Sequence, residues 1–265
     1  MKNILFSALL FSLPLLGYAQ QNFASPDEAA NAFASAIASK NDTQLTALLG
    51  DNWRQFLPPE GADPEAVARF NRDWKISHQV VQNNNVAHLN VGKEGWQLPV
   101  PVVRSAAGWH FDMAAAQEEI LTRAIGRNEL SAIQAMRAYV DAQYDYWQRK
   151  QMFATRLISS EGQQDGLYWP TRPGERPSPL GPAFSSDRHA EGYHGYRFRV
   201  IANDNDNNKG FALLAWPVSW GETGVMSFMV NQDDQVYQAD LGKETEKRVT
   251  AINQYSEDEP WKPVD

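Results

Sequence analysis

Cysteine is absent from all 265 residues. That excludes disulfide staples, thiolate catalysis and every metal site built on Cys. Long apolar runs are also missing: the stretch from Ile4 to Leu13 falls short of the roughly 20 apolar residues a membrane span needs, and no later segment approaches that length. No G-x-S-x-G elbow, phosphate-binding loop, G-x-G-x-x-G turn or H-E-x-x-H pair occurs, which removes the common hydrolase, nucleotide and zinc-protease signatures. Positive charge is scarce, with 24 Lys and Arg against 32 Asp and Glu and a net charge of −8. Nucleic-acid binding rests on neutralising phosphates, so nucleic acid is not an expected partner, and neither is an anionic membrane surface.

The N-terminus has the layout of a secretory signal peptide. Lys2 supplies a short positive start, Pro14 breaks the apolar run, and Gly17-Tyr18-Ala19 places small residues where a signal peptidase reads them. Cleavage after Ala19 is expected. Because no Cys follows the run, lipid attachment is not expected, nor is membrane insertion once the leader is gone. Lys2 leaves with the leader, so 23 basic residues then face 32 acidic ones, a net of −9. Nine Trp, nine Tyr and twelve Phe provide the core material that disulfides cannot replace here.

Helix signals come first. Ser25-Pro26-Asp27-Glu28 combines an N-cap, a Pro in the first turn and a capping-box Glu, and Ala30, Phe33 and Ile37 then share a face. A short helix over about 43–49 stops at Gly50, and Asp63-Pro64-Glu65 opens a third with Val67, Phe70 and Trp74 on one stripe. Strands are expected at 77–82, 86–91, 96–104 and 107–111, with turn residues between them. Asp112 caps a helix that Gly126 should close. Asn128 should cap a second, reaching about Lys150, with Leu130, Ile133, Val140, Tyr144 and Trp147 buried. Residues 170–192 are rich in Pro and Gly and read as a long loop. Strands return at 193–202, 210–217, 223–230 and 236–239. A last helix covers about 243–253, and the acidic tail should fray.

This pattern gives an α+β fold: N-terminal helices on a curved antiparallel sheet, cone-like, then a long helix packed on a second antiparallel sheet. The expected organisation is a leader over 1–19, a first module over 20–126 and a second over 127–265. The first half is similar to the cone fold named after nuclear transport factor two, an analogy that carries no function by itself.

Several stretches carry a more specific resemblance: Phe23–Ala29 (FASPDEA), Gly126–Leu130 (GRNEL) with Ala138–Gln143 (AYVDAQ), Asp165–Pro170 (DGLYWP), Ser178–Pro182 (SPLGP), Tyr193–Tyr196 (YHGY), Gly210–Pro217 (GFALLAWP) and Val230–Gly242 (VNQDDQVYQADLG). Together they resemble the exported bacterial family of domain of unknown function 2950, which implies export and no particular activity. Relative to that family the connection at 203–209 is short and rich in Asn and Asp, and Asp234 stands where a turn Gly is usual. The order of Asn128–Ile133, Tyr193–Phe198, Pro217–Gly224 and Val230–Asp233 is also similar to the globular heads of type IV pilin-like proteins. Their apolar half-helix and cleavage motif are absent, so the likeness implies no polymerisation.

Candidate sites are few. Asp204–Asn208 imitates the start of a calcium loop, but Lys209 and Ala215 occupy the places of the required Gly and Glu. His189, Glu191 and His194 fall within six residues, yet a loop supplies no tetrahedral frame, so no metal and no cofactor are expected. His78 and His88 share a sheet face only if their hairpin register has even parity. The best candidate surface is the aromatic and polar set Tyr168, Trp169, Arg172, Tyr193, His194, Tyr196, Trp216 and Trp220, with Asp165 and Glu191 nearby. Its functional reading is a groove for a ligand or partner chain; its structural reading is core packing under a clamped loop. The expected function is non-enzymatic binding or assembly in the bacterial cell envelope, with a protein partner. The alternative is a small-molecule binder or hydrolase using a pocket in the cone, with His110 and Asp112 near its mouth. If the leader is read correctly, N-terminal sequencing of protein from the envelope fraction finds Gln20 first. Retention of Met1 or Lys2 overturns that reading.

Overall fold

A computed structural model describes residues 20–57, 61–182, 192–202 and 210–264. The chain divides into two compact units, Met1–Ile120 and Leu121–Asp265.

In the first unit α1 (Pro26–Ser39), α2 (Asp42–Leu49) and α3 (Pro64–Ile76) precede β1 (His78–Asn83), β2 (Val86–Val91), β3 (Trp96–Gln97), β4 (Val102–Ser105) and β5 (Gly108–Phe111). The Ser25 hydroxyl accepts from Glu28 N at 3.2 Å, and the Glu28 carboxylate reaches back to Ala24 N. This cap turns the small face of α1 inward, burying Ala29, Ala30 and Ala36 and bringing Phe33 edge-on to Phe70 at 5.7 Å. The sheet runs β1-β2-β4-β5, with β3 also on β2. The single strand expected over 96–104 is two strands. Pro99 and Pro101 have no N–H to give a ladder, so the chain leaves the sheet between them while Leu98 and Val100 fill the core.

The helix break expected at Gly126 does not occur. One helix, α4, runs from Met113 to Lys150; its residues up to Ile120 fall in the first unit and the rest in the second. Gly126 is not among the positive-φ glycines. A Gly that keeps helical angles costs a helix only about 1 kcal/mol, too little to stop one this long.

The buried stripe of α4 also differs from expectation. Leu130, Tyr144 and Trp147 are exposed, at 63%, 43% and 38%. Inside lie Ala132, Ala135, Met136, Tyr139, Val140, Ala142 and Tyr146 around a fully buried Gln143. Ala132, Met136, Tyr139, Val140, Ala142 and Tyr146 share one apolar cluster with Leu213, Ala215 and Phe228 of the sheet, and Gln143 is tolerable there because both ends of its amide are bonded. Its Nε2 donates to Ala154 O and Tyr139 Oη at 2.8 and 2.9 Å, and its Oε1 accepts from Ala154 N at 2.9 Å.

The second unit continues with β6 (Tyr196–Ile201), β7 (Ala212–Pro217), β8 (Met226–Asn231), β9 (Tyr237–Asp240), α5 (Thr245–Ala251) and β10 (Lys262–Pro263). The sheet order is β10-β9-β8-β7-β6. All six residues of β7 are buried. Leu213 and Ala215 join α4 in one cluster, whereas Ala212, Leu214 and Trp216 join Val249 of α5, Tyr255 and Trp261 in another. The tail is therefore not frayed: Trp261 anchors it, Lys262 pairs with Gln238, and Val264 N donates to Val236 O at 2.8 Å. Asp234 adopts φ 58°, the left-handed region that Gly enters at no cost.

An alanine at Gly126 would meet nothing within 4 Å. Gly126→Ala should stabilise the protein by about 0.5–1 kcal/mol, read as a rise of roughly 1–4 °C in thermal melting. A fall would mean that α4 breaks there.

Candidate functional site

Two of the stretches that carry the family resemblance, Gly126–Leu130 and Tyr193–Tyr196, meet at the start of the second sheet. Tyr193-His194-Gly195-Tyr196 is a two-residue hairpin turn closed by hydrogen bonds of 2.8 and 3.0 Å. Its central residues have φ 48° and 73°, the primed geometry that suits twisted strands. Asn128 Nδ2 donates to Thr223 O at 2.9 Å, and Glu129 Oε1 accepts from both Val225 N and Met226 N. A Cβ on Gly195 would crowd Thr223, and one on Gly224 would strike the Tyr196 hydroxyl. That hydroxyl donates to Met226 O at 2.8 Å. Burial, reinforced by the Glu129 carboxylate, pushes its pKa far above the ordinary tyrosine value, so it remains a donor.

A second motif works the same way. Asp165 accepts from Ser160 N and Ser160 Oγ, which hold its carboxyl below the usual range. Gly166 presses on the Ile158–Ser159 backbone, where a Cβ would come within 2.7 Å. Leu167, Trp169 and Leu180 enter the core beside α4. Arg149 sits over the Trp169 ring, pairs with Asp145 and donates to Pro177 O, which straps the Pro-rich segment down.

The eight candidate residues do not form one surface. Trp169 and Tyr196 are buried in the cluster with α4, and Tyr168 packs against it half-buried. Arg172 is exposed in a turn whose backbone N–H bonds the Glu175 carboxylate. Tyr193 is half-buried and His194 exposed. Tyr196 pairs with Pro217 and Arg197 with Trp216. Tyr196 and Trp216 therefore point to opposite faces of the sheet, and Trp216 belongs to the α5 side. His189, Glu191 and the calcium-like run 204–208 lie outside the described residues. Among the described residues no group of three or more His, Cys, Asp or Glu could hold a metal.

What the structure does assemble is a groove of about 460 Å³ on the α5 side. One wall is the turn Pro217–Glu222; the other is Lys243, Thr245 and Glu246. Trp220 is half-buried, and its Nε1 donates to Asp240 Oδ1 at 2.8 Å. Glu246 accepts from Trp216 Nε1 at 2.9 Å and pairs with Arg197 at 3.0 Å. Ser219 Oγ donates to Glu222 at 2.7 Å. The exposed Lys243 makes no ion pair among the described residues. The groove thus offers a fixed aromatic face flanked by charges of both signs. Sequence reasoning found Trp216 and Trp220 but missed Lys243, Glu246 and Arg197. Only the β6–β7 register and the packing of α5 bring those together.

The first unit has no comparable arrangement at His110. Its neighbours Trp109 and Phe111 are buried in the core, so His110 faces the other side of the sheet. Asp112 is spent capping α4 through Ala115 N. Val81 pairs with His88, three residues from His78, so the two histidines lie on opposite faces.

A family model described as a protein of unknown function (DUF2950) matches residues 20–264. No curated protein matches the chain. Trp169 is 7% exposed within the α4 cluster, so Trp169→Ala should cost about 3–5 kcal/mol of folding stability. Melting of the variant should fall by roughly 10 °C; an unchanged melting curve would return Trp169 to the surface.

Proposed function

This chain belongs to the DUF2950 family of proteins of unknown function, and we propose that it is an exported, non-enzymatic binding component of the bacterial cell envelope, with the groove beside Trp220 as its contact site for a protein partner. The observation that carries this reading is the locked amphipathic wall of the groove. Asp240 fixes the indole of Trp220, Ser219 fixes Glu222, and Arg197 and Trp216 fix Glu246. Aromatic anchors that are already ordered lose little entropy on binding, which is why they dominate interface energetics.

Export is supported by the leader layout and by a family match that begins at residue 20, directly after the expected cleavage point. Among the described residues no helix is long and apolar enough to cross a membrane. The alternative of a catalytic or small-molecule pocket in the first unit is weakened by its filled core. Phe33, Leu48, Leu89, Trp109 and Phe111 occupy the space between helices and sheet, His110 lies on the opposite sheet face, and Asp112 caps α4.

The test uses the mature protein as bait in envelope extract. Trp220→Ala should weaken capture of the partner by about 2 kcal/mol or more, leave melting nearly unchanged, and contrast with Leu130→Ala at a 63% exposed helix position, which should capture normally. Capture that survives Trp220→Ala removes the groove as the contact site.

A further inference from the structure

Among the described residues, three of the four end strands of the two sheet orders are guarded. In the second unit, edge strand β6 carries Arg197 and Arg199, and edge strand β10 consists of Lys262 and Pro263. Charge and proline are the usual devices that stop edges pairing with other chains. In the first unit β5 is covered, because Phe23 bridges to Trp109 with hydrogen bonds of 2.8 and 2.9 Å. The opposite edge, β1, has the sequence HQVVQN, and residues 78–91 contain no Lys, Arg, Asp, Glu or Pro. All of β1 but Val80 is exposed, with Val81 at 45%.

We propose that β1 pairs antiparallel with β1 of a second copy of this chain, joining two sheets across a two-fold axis. The inference stands apart from the groove and does not depend on it. The backbone sets the register. Gly92 N donates to Ser77 O at 2.8 Å, so in the β1–β2 ladder the odd-numbered residues of β1 face β2. His78, Val80 and Gln82 then turn their N–H and C=O groups to the open edge.

A two-fold axis normal to the sheet keeps buried and exposed faces aligned, which requires paired residues of equal parity and a centre on a residue. Centring on Val81 sets Val81 against the second copy's Val81 in a non-hydrogen-bonded pair. Val80 and Gln82 then exchange main-chain hydrogen bonds, and Gln79 lies opposite Asn83, where their amides can bond.

Self-complementarity selects a second copy, because the register centred on Val81 sets valine on valine and amide opposite amide with no charge in the seam. Two chains of net charge −8 repel each other over most of their surfaces. The uncharged run at 78–91 is where they meet without opposing like charges.

The absence of Cys makes the test direct. Non-hydrogen-bonded cross-strand residues have Cα atoms about 4.5 Å apart, within disulfide reach. Under mild oxidation Val81→Cys should give a covalent dimer. Val86→Cys, 38% exposed on β2 and one strand further in, should not. Light scattering of the mature wild-type protein over a concentration series should show a monomer–dimer equilibrium. Val81→Lys, which sets two ammonium groups directly opposite, should weaken it up to about fivefold at unchanged melting temperature. Wild-type protein that stays monomeric throughout overturns the proposal. So does equal crosslinking of the two Cys variants, or a dimer indifferent to Val81→Lys.

Discussion

A strand with no exposed side chain, β7, sets the plan of the second unit. Burying both faces of Ala212–Pro217 requires a layer on each side, and the sequence supplies them from far apart in the chain. The long helix α4 covers Leu213 and Ala215, while α5 and the tail through Trp261 cover Ala212, Leu214 and Trp216. Alternate residues of one strand thus recruit the two halves of the unit. The tail is ordered for this reason: without Tyr255 and Trp261 the α5 face of β7 would lie open.

The buried cluster on the α4 side explains residues that look functional in sequence. Polar groups buried in this cluster are cut off from solvent, so they must satisfy one another. Gln143 does this with Tyr139 and Ala154, and Tyr196 with Met226 O. Gly166, Gly195 and Gly224 sit where a Cβ would collide with the Ile158–Ser159 backbone, the Thr223 side chain and the Tyr196 ring and hydroxyl respectively. The DGLYWP and YHGY motifs are therefore largely instructions for packing.

Legibility followed the range of the signal. Caps and turns are local, and Ser25, Asp63 and the α3–β1–β2 succession were readable because a few neighbouring residues determine them. Gly126 misled because a helix stop depends on backbone angles that composition does not reveal. The stripe of α4 misled because residue size does not fix which face is buried: Met136, Tyr139 and Tyr146 turn inward beside Ala132 and Ala142, while Tyr144 and Trp147 pack laterally against Phe211 and Phe153. At the site, Trp220 was visible as an aromatic beside turn residues. That Tyr196 and Trp216 face apart was not visible, since it depends on a register that a shift of one residue would invert.

These constraints narrow where a binding function can reside. A side chain that holds the core is costly to expose to a partner, and Trp169, Tyr196 and Trp216 are committed in that way. The turn after β7 is different. Pro217 is the last buried residue of the strand, and the chain emerges beyond it as Val218–Glu222, stiffened by bonds from Gly221 N to Gly224 O and from Thr223 N to Ser219 O. Asp240 ends β9 at the same place and holds Trp220 from the side. The groove is thus built from residues just past the ends of two core strands, rigid because their neighbours are buried and accessible because they are not. Glu246 of α5, the element that β7 requires for its own burial, completes it together with Lys243 in the turn just before that helix. One packing demand therefore both orders the second unit and places charged groups opposite Trp220.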